Sequence, residues 1–244
     1  MRRAAAIFSG LALAFSAGAA LAARPPVVVE LFTAQGCSSC GPANTSVAAM
    51  SSRDDVLPLT FSVDYWDYLG WKDTFAQKAF TDRQRAYAKR LGVREVYTPQ
   101  VVVDGKAQAS GVRPAQVEAL LQTQGRAPKN PPDMQWLGTT RAAVGSGRAP
   151  AGGADVWLVR FDPREQEVAV RRGDNRGQTI AHRNVVRQLV RLGSWAGKPR
   201  AYRLPPTADD GLTSAILVQG AAGGAMIGVM VEADEAKPEE TASR

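Results

Sequence analysis

The residues best suited to chemistry in this 244-residue chain are its two cysteines, in the run Cys37-Ser38-Ser39-Cys40. A thiolate, not a thiol, is the attacking species, and it forms most easily where positive potential is near. Free amide N–H groups and the helix dipole supply that potential at a helix start. In such a setting Cys37 is the exposed nucleophile, and Cys40, one turn inward, resolves the mixed disulfide. A loop this short closes little chain entropy, so stabilisation by that route is small. The same spacing also fits an inert local disulfide. Zinc fits less well, because it wants four ligands and the chain offers beside the cysteines one histidine and carboxylates. Two thiolates would suit a soft ion such as Cu(I).

The elements around the pair are those such chemistry needs. Val27-Val28-Val29-Glu30-Leu31-Phe32 is a β-branched and apolar run that reads as a buried strand ending just before the cysteines. A helix is expected from Ala43 to Ser52, with Pro42 tolerated near its first turn. Val56 to Val63 reads as a second strand, and Thr74 to Leu91 as a helix with apolar residues at near-helical spacing. Val101–Val103 reads as a strand entering an Asp104-Gly105 hairpin turn, and Val112–Gln124 as a further helix.

Composition changes after residue 126. Gly125 to Pro132 carries Gly, Asn and three Pro, with a linker over 127–132, and the region 133–233 becomes mostly strands: Met134–Leu137, Val156–Phe161, Glu167–Arg172, Thr179–Leu192, Ala201–Leu204, Ser214–Gln219 and Met226–Glu232. The Thr179–Leu192 segment fits a helix as well. The reading is an α/β domain over 23–126, a β-rich C-terminal lobe over 133–233 and a polar tail over 234–244.

The first residues are a targeting segment. Met1-Arg2-Arg3 is basic, Ala4–Leu21 is apolar and uncharged, and Ala20-Leu21-Ala22 is a small-x-small cleavage site. Residues 1–22 therefore read as a signal peptide, the alternative being a retained anchor. A secreted, periplasmic product with no transmembrane span after cleavage is expected. Its net charge falls from +7 to +5 once Arg2 and Arg3 are removed. Residues 160–203 hold eleven Lys or Arg against four acids. No aromatic stacking rhythm accompanies them, so no nucleic acid is expected as a partner.

From Tyr87 through Thr98-Pro99 to Val101-Val102-Val103-Asp104-Gly105, the sequence resembles the thioredoxin superfamily in its passage from helix to cis-proline to hairpin. The resemblance implies that Pro99 is cis and packs opposite Cys37 and Cys40, and that Thr98 offers backbone hydrogen bonds to a substrate chain. It also implies a buried acid beneath the second cysteine, for which Glu30 is the weak candidate; the alternative is that Glu30 pairs with a base. Gly36 stands where thioredoxins usually carry Trp, and Ser38-Ser39 supplies no imidazole between the cysteines.

Longer stretches resemble a more particular exported family, domain of unknown function 1223. They are Val29–Cys40, Val63–Asp73, Tyr97–Gln100 and His182–Val186; Gly41 departs from that family's pattern. The fold implied is thioredoxin-like with a helical insertion, followed by the β-rich lobe. Tyr65, Trp66, Tyr68 and Trp71 follow a strand beside the cysteine strand, and read either as a wall of a substrate groove or as a packed cap. His182, the sole histidine, reads as a structural residue unless the C-terminal lobe folds over the cysteines.

These readings leave three functions open. One is a thiol–disulfide oxidoreductase acting on protein thiols or disulfides with a separate redox partner, needing no cofactor beyond the redox-active disulfide. The second is copper binding or delivery by the same pair. The third is partner binding with a structural disulfide.

Overall fold

A computed structural model describes residues 25–125, 128, 130–208 and 210–232. The signal peptide and the polar tail expected from the sequence lie outside the described residues, as does part of the linker. The described chain is mixed α/β, with one large mixed sheet and three α-helices.

The N-terminal half runs β1 (Val27–Thr33), α1 (Cys40–Ala48), β2 (Val56–Ser62), α2 (Lys78–Arg90), β3 (Gln100–Val103), β4 (Ala107–Ser110) and α3 (Pro114–Gln124). The C-terminal half adds β5 (Met134–Leu137), β6 (Arg141–Val144), β7 (Ala154–Asp162), β8 (Gln166–Ala169), β9 (Thr179–His182), β10 (Val185–Trp195), β11 (Arg200–Arg203), β12 (Thr213–Gly220) and β13 (Met226–Val231). The large sheet has the order β13-β12-β7-β10-β2-β1-β3-β4. β1 is parallel to β2, β10 is parallel to β2, and the other pairs are antiparallel.

The C-terminal strands expected as a lobe of their own are in large part an extension of this sheet. β10 joins the edge of β2, with Val185 opposite Thr60, and brings β7, β12 and β13 with it. An unpaired β2 would leave a row of backbone donors and acceptors without partners. The three-stranded sheet β11-β6-β5 packs on this extension, burying Trp195, Tyr202 and Leu158 between them.

β1 has both faces covered, which is why its sequence is apolar with little alternation. Val27, Val29 and Leu31 meet α1 and α3 through Ala43, Val47, Val117 and Leu121. Val28 and Phe32 face α2, where Phe32 stacks on Phe61 and meets Tyr87 edge-on. Asp104 and Gly105 both have positive φ at the centre of the turn that joins β3 to β4, closed by the Lys106 N–H donating to the Val103 carbonyl.

Candidate functional site

The Cys37–Cys40 disulfide lies in the loop leaving β1, and Cys40 is the first residue of α1. The parallel pairing of β1 and β2 puts the loops after both strands at one end of the sheet. β3 runs antiparallel, with Gln100 opposite Phe32, so Thr98-Pro99 enters at that same end. Three segments far apart in sequence are thus gathered by the sheet.

Their contacts are specific. The Thr98–Pro99 peptide bond is cis. Gly111 is wedged between the hairpin and α1: a Cβ there would lie 2.9 Å from Ala43 Cβ and 3.1 Å from Pro99 Cβ. Pro99 and the cysteine helix therefore both close on Gly111, and only glycine permits that closeness. On another side, Trp66 Cβ lies 3.8 Å from where Gly36 would carry a Cβ. The indole N–H of Trp66 donates to Thr98 Oγ1 at 2.8 Å. Thr98 keeps its backbone N–H and C=O without a backbone partner among the described residues.

The aromatic segment divides between two roles. Tyr65 and Trp66 pack on the core cluster that contains both cysteines. Trp71 donates its indole N–H to Gln35 Oε1 at 2.9 Å. Tyr68 is 80 % exposed and holds no place in the packing.

Gln35 is a hub that sequence reasoning missed. Its backbone N–H donates to Asp73 Oδ2 at 2.7 Å, its amide N–H to Thr74 Oγ1 at 2.8 Å, and its Oε1 accepts from the Thr74 N–H at 3.1 Å. Asp73 is buried, and desolvation pushes its carboxyl up to about 6 against the hydrogen bonds from Gln35 and Phe75. Asn175 was also missed. Its Nδ2 donates to the carbonyls of Gln35 at 2.8 Å and Cys37 at 2.9 Å, clasping the cysteine loop from the C-terminal half. The turn that bears it rests on the aromatic segment, with Gly173 against Leu69 and Trp71. In the sequence Asp174-Asn175 reads only as a turn signal.

The outcome for Cys37 differs from the exposed nucleophile that the sequence implied. In the oxidised state Cys37 is only 1 % exposed and Cys40 fully buried, while Ser38 and Ser39 are exposed. The Asn175 turn fastens the backbone of this loop, and Tyr65 and Trp66 pack on the cluster that holds both cysteines; neither segment is adjacent in sequence. Cys37 Sγ has one polar neighbour, Ser39 Oγ at 3.5 Å.

Glu30 takes the alternative considered for it. Its carboxylate accepts from Arg83 Nε at 2.5 Å and from the Tyr87 hydroxyl, so both oxygens are committed to α2 rather than to the cysteines. His182 lies next to α1: its Nδ1 meets Asn44 Nδ2 at 3.3 Å, and Asn44 Oδ1 accepts from Thr33 Oγ1 at 2.8 Å. Its Nε2 is buried with no hydrogen-bond partner among the described residues. Burial lowers the imidazole to about 4, holding it neutral. Among the described residues no three His, Cys, Asp or Glu side chains are gathered as a metal set, and no helix is long and apolar enough to cross a membrane.

The crystal structure of a protein from Agrobacterium tumefaciens is similar to this chain at 32 % identity with a TM-score of 0.70, covering 87 % of this chain and 96 % of that one. The protein HBP35 of Porphyromonas gingivalis shares the fold at 14 % identity and a TM-score of 0.53, over 91 % of this chain and 79 % of the other. No curated protein matches. The family described as "Protein of unknown function (DUF1223)" matches residues 28–219, which include the cysteine loop, the aromatic segment, the cis-proline and the Asn175 clasp, and the chain belongs to that family.

Proposed function

We propose that the chain is a thiol–disulfide exchange protein of thioredoxin-like type whose redox-active group is the Cys37–Cys40 disulfide. The observation that carries this reading is the placement of that disulfide at the start of α1, with the cis Thr98–Pro99 step at the same end of the sheet and separated from that helix by Gly111. The unpaired backbone groups of Thr98 provide an edge on which an extended substrate segment can add hydrogen bonds.

The chemistry is a two-step exchange. A substrate thiolate attacks Cys37 Sγ; a new S–S bond forms, the Cys37–Cys40 bond breaks, and Cys40 leaves as a thiolate that takes up a proton. A second substrate thiolate attacks the mixed disulfide and releases Cys37. The substrate is oxidised by two electrons and the pair is reduced by two. A partner disulfide resets the pair, and the reverse sequence reduces a substrate disulfide. Because Cys37 is buried, attack on it needs local opening of the loop, and the Asn175 clasp on the Cys37 carbonyl is one contact that such opening would break.

A second reading has its own support. A disulfide this well buried, in a loop fastened by Gln35, Asp73 and Asn175, is also what a structural crosslink requires, leaving the aromatic segment for partner binding. No contact favours copper over these two.

Equilibration of the chain against glutathione separates them. A potential of roughly −270 to −120 mV supports exchange, and one below about −300 mV supports the crosslink. Cys40→Ser is expected to trap substrate proteins as mixed disulfides on Cys37 in the compartment where the chain is native. Absence of trapped proteins, with the variant folded, would sink the exchange reading.

A further inference from the structure

A second site lies away from the disulfide, between α2 and the C-terminal extension of the large sheet. A cavity of about 290 Å³ opens there, with Arg83 and Tyr87 from α2 on one side, Trp157 and Leu189 from β7 and β10 on another, and Gln219 at its end. Small residues keep it open: Ala79 and Ala86 line it from α2, and Gly223, at φ +76°, packs so close to Ala86 that a Cβ there would lie 3.2 Å from its carbonyl carbon. Ligand pockets have this make-up, apolar and aromatic walls with a few converging polar atoms.

The polar atoms define what would fit. The Arg83 guanidinium is buried with ring faces around it: its Cζ lies 5.2 Å from the Tyr87 ring centroid, 5.5 Å from Trp157 and 5.7 Å from Phe61. Nε donates to Glu30 and Nη2 to the Tyr87 hydroxyl at 3.0 Å, while Nη1 donates to no acceptor among the described residues. Gln219, 1 % exposed, donates from Nε2 to the Tyr87 hydroxyl and to the Gly224 carbonyl, both at 2.9 Å. Its Oε1 accepts from no donor among the described residues. One unused donor and one unused acceptor thus stand on either side of a single hydroxyl.

Charge narrows the class further. Glu30 neutralises Arg83, Lys78 and Arg85 pair with Asp82, and Arg191 pairs with Asp155 at the wall. A charged ligand would find every charged lining residue, Asp82, Arg83 and Asp155, already paired, and desolvating its charge would cost several kcal/mol. We infer that this cavity binds a small, uncharged, flat molecule whose amide group accepts from Arg83 Nη1 and donates to Gln219 Oε1, its apolar body lying against Trp157. The inference stands apart from the redox reading, since neither cysteine lines the cavity.

Acetanilide is a probe of that chemistry, and benzoate is its anionic counterpart. Nuclear magnetic resonance titration of the ¹⁵N-labelled chain is expected to show saturable shifts for acetanilide, centred on the Trp157 indole and the Gln219 amide. Benzoate should bind about tenfold or more weakly. Ala86→Leu, which fills the cavity, should weaken acetanilide binding about tenfold or more while leaving the amide spectrum of the folded chain intact. If Ala86→Leu fails to fold, Ala79→Leu fills the other end and makes the same comparison. Absence of saturable acetanilide binding, equal binding of benzoate, or undiminished binding by a folded filled variant would each overturn the inference.

Discussion

The cysteine loop and the carboxylate of Glu30 both belong to β1 or its immediate continuation, and both are buried, yet they are held in different ways. Glu30 is answered by one strong element: the Arg83 guanidinium, with Tyr87 beside it, on a helix packed across the strand. The cysteine loop is answered by several single contacts from two loops: Trp71, Asp73 and Thr74 on one and Asn175 on the other, each making one or two hydrogen bonds. A buried charge pair cannot open without leaving a charge uncompensated. A set of single hydrogen bonds between loops can open locally at far lower cost. One region thus locks the sheet to α2, and the other is held in the way that the proposed exchange reaction would need.

The sharpest way to break this comparison is to remove the charge partner. Arg83→Met is expected to cost about 3–5 kcal/mol in urea unfolding, because Glu30 is then left buried and unpaired. Adding Glu30→Gln should return part of that loss. A cost below about 1 kcal/mol for the single variant would show that the pair does not lock the helix.

Next in size is the protonation of His182. Its native value of about 4 lies below the ordinary 6.5, so the native state favours the neutral ring. Its contribution is complete above pH 6.5 and is lost as the pH falls toward 4, up to about 3 kcal/mol. Asp73 acts in the opposite sense: raised to about 6, it favours the protonated form, and its contribution is lost as the pH rises from about 4 through 6. Comparing the wild type with His182→Asn at several pH values isolates the histidine. A difference independent of pH would exclude a neutral buried imidazole.

The clasp is the direct test of local opening. Asn175→Ala leaves two carbonyls without their donor and should cost about 1–3 kcal/mol. More tellingly, it should speed reduction of the Cys37–Cys40 bond by dithiothreitol several-fold relative to its effect on global unfolding. An unchanged reduction rate would mean that Asn175 does not control access. The smallest effect is expected at Tyr68. Exposed as it is, Tyr68→Ala should change stability by less than about 0.5 kcal/mol. A clear loss of exchange with a protein substrate, at unchanged stability, would place that ring in substrate contact.

Local signals were legible wherever one stretch of chain decides its own conformation. The β1 run, the Asp104-Gly105 turn and α3 with Pro114 at its first turn lie close to where the sequence puts them. The start of α2 does not. Thr74 and Phe75 were expected in the helix, but their N–H groups go to Gln35 Oε1 and Asp73 Oδ1, and the helix begins at Lys78. β6 was not foreseen, since Arg141-Ala142-Ala143-Val144 has weak strand preference and is fixed by pairing with β5 and β11.

What the sequence by itself determined is the chemistry on offer: a cysteine pair between a strand and a helix, a Thr-Pro step before a strand, and an aromatic run beside them. Residue type and short-range spacing are enough for that. Only the tertiary structure decided how those groups are used. The pairing of β10 with β2 brings Asn175 onto the cysteine loop and Gln219 to Tyr87, across more than a hundred residues. Burial of Cys37, the commitment of Glu30 to Arg83 and the cavity beside α2 all follow from those distant contacts. They depend on which strands share a sheet, a choice made by the whole chain burying its edges and apolar faces together rather than by any one segment.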